Sequence, residues 1–369
     1  MWYQKGDPAA PAWTEWQQPW RKYGGDNPGT VYLSAPVSPR HQYRIRGPLA
    51  GAHYVGVQIH RQIQGFNAPS ANISSADLTP GPDGRFELVI GGERPEGAAH
   101  WLPLQDDDYV AMVRVYSYEP WTRWDVTIER IDGVAAEPLP AEERLAKAAS
   151  YFEAEVLSSI ELTELIRAGG TNTYGPPDAT YRQPKYGDAL FPTLDNTYEG
   201  FFVDLKPDEA LLLHGRLPKA KYTSLVFYDR WWTTLDYPRL QCYLTDRDLV
   251  LNGDGTYDAV IAPADPGVPN WIDTQGLTQG VFVSRYLLAQ EKLLPEASVV
   301  RIADVPDPPA NSAMTAPASA GPMNRLACAV PCTAVFPSDR SSLRTMRGTI
   351  AVCAGKKNAS AIPNERANA

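Results

Sequence analysis

The chain contains an internal repeat that spans most of its length. Matched positions are 168 residues apart early in the repeat, as in Tyr54 and Tyr222, and 171 residues apart further along, as in Arg114 and Arg285. The other matches pair residues 43–47 with 211–215, Asp83-Gly84 with Asp254-Gly255, and Arg94-Pro95 with Asp265-Pro266. A repeat of this length predicts that one folding unit occurs twice.

Each copy is predicted to consist of short strands. In the first copy, apolar and β-branched runs at 31–33, 43–46, 54–60, 86–90 and 110–115 are separated by Pro, Gly and Asp at strand-like spacing. Side chains alternate between the two faces of a strand. Tyr54 and His60 therefore share one face, and Val55, Val57 and Ile59 share the other. Tyr222 and Tyr228 correspond to the first pair. We expect one face to pack and the other to be available for a ligand, or to be a plain tyrosine-rich surface.

Between Pro140 and Gly169 the hydrophobic period changes to that of a helix. Apolar residues recur at the spacing that places them on one face of a helix, and Gly169-Gly170 is typical of a helix C-terminus. The residues of the predicted packed face are Leu145, Ala148, Ala149, Phe152, Val156 and Ile160.

We therefore predict an all-β protein with one long connecting helix, made of two homologous units of the jelly-roll or β-sandwich type. The boundaries are 1–25 for a Trp-rich N-terminal segment that packs on the body, 26–133 for the first β unit, 140–169 for the helix, 171–305 for the second β unit and 306–369 for the tail. The tail is predicted to be disordered because it is rich in Ala, Pro, Ser and Asn and has little apolar surface to bury.

The net charge of −9 and pI of about 5.2 argue against nucleic acid or anionic membrane as a partner and favour a neutral small molecule or oligosaccharide. No apolar run is long enough for a membrane helix, and residues 1–5 lack a signal-peptide core. We expect a cytoplasmic protein, with an export signal lost by truncation left open. A homo-oligomer is also left open.

No metal and no cofactor are expected. The five histidines show no metal-binding spacing, and Cys328 and Cys332 have no matching second pair. Residues 252–258 resemble a calcium loop, but their counterpart in the first copy keeps only Asp83-Gly84, which is typical of a tight turn.

The main candidate site is the polar and aromatic cluster at 228–232. Aromatic faces beside fixed polar groups suit sugars or other rings. Asp229 and Arg230 could equally lock a loop. The residues of this cluster are Tyr228, Asp229, Arg230, Trp231 and Trp232, and Tyr222 lies on the same predicted strand face.

A second group lies in the turn-rich stretch 265–286, which leads into a strand. Asn270, Trp271, Asp273 and Arg285 are its candidate ligand-binding residues. Trp271 matches Trp101 with a one-residue gap, which favours shared packing. A buried Arg285 must find a carboxylate or carbonyl, and Asp273 is the expected partner.

Four segments, 26–28, 43–47, 228–231 and 265–273, resemble domain-of-unknown-function (DUF) family 1214, whose usual companion is family 1254. The resemblance extends over residues 24–305, and it is assigned above all to the second β unit. It implies an all-β, jelly-roll-like architecture and no settled activity. For distant relatives it implies polysaccharide elimination.

Two functional hypotheses follow. In the first, the second β unit binds a neutral ring-containing ligand, such as an oligosaccharide or terpenoid. In the second, a metal-independent lyase acts on uronate sugars, with Tyr228 or His214 as the base and Arg230 or Arg285 steadying the carboxylate. Both place the site in residues 211–286 and require Tyr228, Arg230, Asn270 and Arg285 to converge on one concave surface.

Overall fold

Strands dominate the protein in a computed structural model that describes residues 7–18, 20–63, 66–118, 123–133, 139–182 and 191–307. Almost all of the predicted tail, 308–369, lies outside the described residues, as do residues 1–6. Within the described ranges the chain forms strands and one α-helix, so the prediction of an all-β, sandwich-like fold with one helix is confirmed.

The elements follow one another in the order that the repeat requires. The first β unit comprises β1 (Thr14–Glu15), β2 (Thr30–Pro36), β3 (Tyr43–Pro48), β4 (Tyr54–Ile63), β5 (Phe66–Ser74), β6 (Arg85–Ile90), β7 (His100–Leu102), β8 (Asp108–Tyr116) and β9 (Thr127–Arg130). Helix α1 (Ala141–Gly169) follows. The second unit comprises β10 (Asn196–Asp204), β11 (Glu209–Arg216), β12 (Tyr222–Tyr228), β13 (Tyr243–Thr245), β14 (Thr256–Ala262), β15 (Trp271–Asp273), β16 (Gln279–Leu287) and β17 (Glu296–Arg301).

The two units have the same sheet topology. Sheet A has the order β1-β2-β8-β4-β5 and sheet B the order β7-β6-β3-β9, while sheet C is β10-β16-β12-β13 and sheet D is β15-β14-β11-β17. Apart from β1, each strand of the first unit has a counterpart at the same place in the second. Both units also contain a parallel pair, β6 with β7 and β14 with β15. Topology therefore bears out the repeat found in the sequence.

The turn before β14 belongs to the shared unit. Gly84 and Gly255 have φ angles of 77° and 80°, a conformation that favours glycine. The Gly255 amide donates a hydrogen bond to the Asn252 carbonyl over 2.9 Å, which closes the turn. The interpretation of residues 252–258 as a tight turn is confirmed.

Side chains alternate between the two faces of the central strands, and the apolar side chains on one face form the core of each sandwich. Val55, Val57 and Ile59 of β4 pack with Val113 and Val115 of β8 in the core between sheets A and B. A second core lies between sheets C and D, where Phe201, Leu225 and Phe282 pack. The prediction that Val55, Val57 and Ile59 share the packed face of β4 is thus confirmed.

The opposite faces of sheets A and C are also buried, because the two sheets contact each other. Tyr54 and Tyr116 of sheet A form one apolar cluster with Tyr222 and Leu287 of sheet C. Strands buried on both faces carry nearly continuous apolar runs, as β8 and β16 do. The face that the sequence left open for a ligand therefore faces the other unit.

Helix α1 packs through a different face from the one predicted. Leu145, Phe152, Val156 and Ile160 are exposed. The buried residues are Glu155, Ser158, Ser159, Leu162, Thr163 and Ile166. The hydrophobic period identifies an apolar stripe on the helix. In the structure that stripe is exposed, and the polar side chains on another face are buried because they form hydrogen bonds. Thr163, for example, accepts a hydrogen bond from Trp232 Nε1 over 2.8 Å. No helix in the described part is long and apolar enough to span a bilayer.

Two isoleucines of α1 provide a matched test of this orientation. Ile166 is 5% exposed and Ile160 is 40% exposed. We expect Ile166→Ala to lower the free energy of unfolding by about 2–5 kcal/mol, because it leaves a cavity in the core. Ile160→Ala should lower it by less than about 1 kcal/mol. Urea unfolding followed by circular dichroism measures both, and equal losses would contradict the observed packing.

Candidate ligand-binding site

A cavity of about 750 Å³ lies between sheets A and C and against helix α1. Its wall includes residues from both β units, the helix and the N-terminal segment. The lining residues used below are Trp16, Tyr32, Arg114, Phe191, Tyr198, Glu199, Trp232, Arg285 and Lys292. The sequence analysis placed the site in the second copy, whereas this cavity is also lined by Arg114 and Tyr32 of the first copy.

Both repeat-related arginines lie at this cavity. Arg114 is opposite Tyr32 in the β2–β8 ladder, and Arg285 is opposite Tyr198 in the β10–β16 ladder. The Arg114 guanidinium carbon is 5.8 Å from the centre of the Tyr32 ring, and that of Arg285 is 5.5 Å from the Tyr198 ring. Each unit therefore supplies one arginine–tyrosine pair from the same place in its topology.

Arg114 is almost fully buried, and its hydrogen-bond partners among the described residues are neutral. Its guanidinium donates to the side-chain oxygen of Gln58 and to the carbonyl of Phe191. A hydrogen bond to a carbonyl fixes the side chain, but it does not neutralise the positive charge. Arg114 also holds in place the segment that carries Phe191.

Arg285 is 5% exposed and donates through Nη2 to the carbonyl of Gly25. Its Nη1 is buried and has no hydrogen-bond acceptor among the described residues. Gly25 has a φ of 68°, and a Cβ there would lie 3.1 Å from the Trp232 ring. Glycine is thus required where the chain passes between the arginine and the tryptophan. Finding a carbonyl confirms one of the two partner types expected for Arg285.

The two arginines have no direct carboxylate partner among the described residues, and Asp26, whose pKa Arg285 lowers, is a more distant carboxyl. In the described part of the chain neither forms an ion pair with a carboxylate, whereas the lining residues Glu199 and Lys292 pair with each other. Removing an ion from water costs several kcal/mol unless a partner compensates it. The cavity therefore has an excess of positive charge in a chain whose net charge is −9.

Tyr198 differs from its neighbours in its surroundings. Its hydroxyl accepts hydrogen bonds from the Thr193 amide over 2.9 Å and from Asn196 Nδ2 over 3.1 Å. Burial raises the pKa of Tyr198. The positive charges of Arg285 and Arg114 and the two donated hydrogen bonds outweigh this effect, so the pKa lies below the usual value. At Tyr32, where burial dominates, the pKa rises to about 12.

Aromatic side chains form much of the remaining wall. Trp16 packs edge-on against Phe191, with ring centres 4.8 Å apart. Phe191 and Trp232 have φ angles of 56° and 61°, which cost on the order of 1–3 kcal/mol each for residues other than glycine. Such strain persists where the surroundings determine it and is concentrated at functional sites.

Two carboxyl groups are buried close to this wall. Glu155 of α1 accepts hydrogen bonds from Tyr151 and Asn67, each over 3.2 Å, and its Oε1 has no hydrogen-bond partner among the described residues. Burial raises the pKa of Glu155 to about 7, although the two hydrogen bonds lower it. Burial likewise raises the pKa of Asp26, which is bound to Thr234, to about 6.

The raised pKa values of Asp26 and Glu155 predict that the free energy of unfolding falls as the pH rises from 3.8 to about 7. A carboxyl whose pKa is higher in the folded state holds its proton more tightly there, so it stabilises the fold below its unfolded pKa. That contribution is lost as the pH rises through the folded value. For Glu155 the loss should be on the order of 3 kcal/mol. Glu155→Gln should flatten the dependence in urea unfolding at several pH values. Glu153→Gln, an exposed change on the same helix, should leave the slope as in wild type.

The structure places some predicted site residues together. Arg285 and Trp232 line the cavity. Tyr228 lies beside Arg285, with 5.4 Å from its ring centre to the guanidinium carbon, and its hydroxyl donates to the Asp26 carbonyl over 2.6 Å. Tyr222 is buried at the contact between units, where Asn27 donates to its hydroxyl over 3.0 Å.

Other predicted residues lie elsewhere in the second unit. Asp229 accepts hydrogen bonds from the amides of Trp231 and Thr233, as the loop-locking alternative requires. Arg230 and Trp231 are exposed and stack on each other, with 5.5 Å between the guanidinium carbon and the ring centre. None of the three lines the cavity.

The remaining predicted residues are associated with sheet D. His214 is exposed and lies 2.6 Å from Asp258. Asn270 bonds to both backbone groups of Val250 and lines a smaller cavity of about 180 Å³. Trp271 donates to the Ala262 carbonyl, just as Trp101 does to Gly91, the matching position, which supports shared packing.

Two geometric predictions are therefore wrong. Asp273 accepts a hydrogen bond from the Gln275 amide, and it does not pair with Arg285. Of Tyr228, Arg230, Asn270 and Arg285, only Arg285 lines the large cavity, so the four do not converge on one concave surface. Polar residues can lie on either side of a sandwich, so their polarity does not show which side they are on. Residues 228–232 are neighbours in sequence, but their side chains do not share one face.

Sequence reasoning missed Trp16, Tyr32, Phe191 and Tyr198 as site residues. The recurrence of Arg114 and Arg285 within apolar strands was the available signal. Extending the repeat to β2 and β10 would have added their cross-strand tyrosines. Among the described residues, no group of three or more His, Cys, Asp or Glu side chains is placed to hold a metal ion.

Comparisons with known proteins bear on the fold. A crystal structure of an uncharacterized protein from Burkholderia cenocepacia is similar, with a TM-score of 0.72 and 23% identity over 82% of this chain and 85% of that chain. One from Vibrio parahaemolyticus has a TM-score of 0.44 and 12% identity over 78% and 92%, which is too distant to support an argument. No curated protein matches.

A family comparison adds a match within the first β unit. The resemblance to DUF family 1254, and the extension of the family 1214 resemblance to the second unit, stay predictions. Residues 35–120 match the model of the family described as "Protein of unknown function (DUF1214)", which supports the resemblance to that family.

Proposed function

We propose that the protein binds a small molecule carrying a carboxylate on an apolar ring or branched body, and that the ligand lies in the cavity between the two β units. The observation that carries this proposal is the pair of buried arginines, Arg114 and Arg285, neither of which has a carboxylate partner among the described residues. An anionic ligand would supply the missing negative charge.

The energetic reason is the cost of burying an uncompensated cation. Burying each unpaired ion destabilises the fold by several kcal/mol, unless a bound anion offsets this cost. Hydrogen bonds from a guanidinium to a carboxylate are about twice as strong as neutral ones. A carboxylate beside Arg285 would therefore gain energy from a donor that is already in position.

The size and wall of the cavity favour a compact ligand with an apolar body. Sites for small molecules measure about 300–1,000 Å³, and this cavity is within that range. Trp16, Phe191 and Trp232 offer ring faces and edges for packing.

The proposal changes the expected ligand from neutral to anionic. The earlier expectation was based on the charge of the whole chain. Among the described residues that line the cavity, the charged side chains are Arg114, Arg285 and Lys292 and the carboxylate of Glu199. Inside a low-dielectric cavity, local charges matter more than the distant surface.

A panel of matched ligands tests this proposal. Benzoate, phenylacetate, cyclohexanecarboxylate and galacturonate would be titrated against intrinsic tryptophan fluorescence, since Trp16 and Trp232 line the cavity. Benzamide and phenylacetamide are neutral controls of nearly the same shape. We expect at least one acid to bind about ten-fold or more tighter than its amide, a difference of about 1.4 kcal/mol. Equal binding of acid and amide throughout would contradict the proposal.

A further inference from the structure

We propose that Tyr198 is a catalytic base that removes a proton from the carbon next to the ligand's carboxylate. This inference rests on the proposed function. The reaction class is proton abstraction next to a carboxylate, which extends the site from binding to chemistry.

The geometry around the Tyr198 oxygen favours the phenolate. The Thr193 amide can only donate, and it points at this oxygen from 2.9 Å. Asn196 Nδ2 supplies a second donor at 3.1 Å. Hydrogen bonds donated to an oxygen stabilise its charged form. Tyr198 is partly buried and lines the cavity, and these two donors hold its oxygen in place.

The charges around Tyr198 act in the same direction. Arg285 lies opposite it on β16, and Arg114 on β8 is the second cation that acts on it. The other titratable groups facing it are Tyr32 on β2 and Tyr116 on β8, both neutral because burial raises the pKa of each. Glu199, its neighbour on β10, is paired with Lys292.

Among the described tyrosines with a resolved shift, Tyr198 alone has a pKa below the ordinary value. The others in this region have raised values, chiefly because of burial; they include Tyr32, Tyr54, Tyr116, Tyr174, Tyr222 and Tyr228. A tyrosine that lines a cavity and has a pKa below the ordinary value is better suited to acid–base work than its buried neighbours.

The step balances without a co-reactant. The phenolate oxygen takes the proton as the C–H bond breaks, and the electron pair moves into the carboxylate to give an enediolate. Arg285 and Arg114 would face the added negative charge. Because the new phenol O–H exchanges its proton with water, a proton from solvent returns to carbon. The observable result is exchange of that hydrogen with solvent.

Two measurements test the role of Tyr198. The first is a spectroscopic pH titration of tyrosinate without ligand. One tyrosine should ionise below about pH 10 in wild type, and that early step should be absent from Tyr198→Phe. It should persist in Tyr257→Phe, which removes a tyrosine buried in the core between sheets C and D. The absence of an early step in wild type would overturn the inference.

The second measurement follows deuterium incorporation into phenylacetate and mandelate by NMR in deuterated buffer. Wild type should exchange at least one of them, and Tyr198→Phe should exchange it at least about 100-fold more slowly while still binding it. Equal exchange by both proteins, or no exchange of a bound acid, would overturn this inference and leave the binding proposal standing. If wild type binds no acid of the panel, both fail.

Discussion

Replacing Arg285 with methionine is expected to weaken binding of a carboxylate ligand by about 30-fold or more. Truncating one partner of a buried charge pair costs about 2–5 kcal/mol, and each 1.4 kcal/mol is a factor of ten. Methionine keeps a long side chain while removing the charge. Isothermal titration calorimetry with the tightest acid of the panel measures the change.

Arg230→Met is the matched control. Arg230 is exposed, belongs to the same β unit and, within the described part of the chain, stacks on the exposed Trp231. We expect it to change affinity by less than about two-fold. If Arg230→Met and Arg285→Met had the same effect, the positive charge of the cavity would not be the source of binding.

The stability of Arg285→Met separates a binding role from a structural clamp. The substitution removes a buried uncompensated charge, which favours the fold, but leaves the Gly25 carbonyl without its donor, which costs about 1–3 kcal/mol. The net change should therefore be small. A loss of folding together with binding would identify Arg285 as a clamp.

Trp16→Ala is expected to lower the free energy of unfolding by about 3–5 kcal/mol. Trp16 is 1% exposed and packs with Tyr32, Met112 and Phe191, so removing the indole leaves a large cavity. The same variant should weaken binding of the aromatic acids, because Trp16 lines the ligand cavity. Urea unfolding and fluorescence titration measure the two effects.

Trp20→Ala provides the comparison within the same N-terminal segment. Trp20 is 77% exposed, and we expect its substitution to change stability by within about 0.5 kcal/mol. Similar effects of the two substitutions would mean that the segment is not held through Trp16.

Part of the candidate site could be predicted, because some of its residues recur in both copies of the repeat or lie close together in sequence. Arg114 and Arg285 were singled out by their recurrence, and the structure places both at the cavity. The cluster at 228–232 was chosen for its composition, yet only Trp232 reaches the cavity, because residues adjacent in a loop point in different directions. The helix orientation was wrong since buried polar partners, which no periodicity reveals, outweighed the apolar stripe.

The sequence by itself determined that the chain has two similar β units with a helix between them. The periods of strands and helices depend on neighbouring residues, and an internal repeat is visible in the sequence itself. Tertiary structure alone decided where the cavity is. Arg114 and Arg285 are 171 residues apart and meet the same space only because sheets A and C face each other. Whether a strand face meets solvent, a core or a second sheet depends on what packs there, and the strand's own alternation is the same in all three cases.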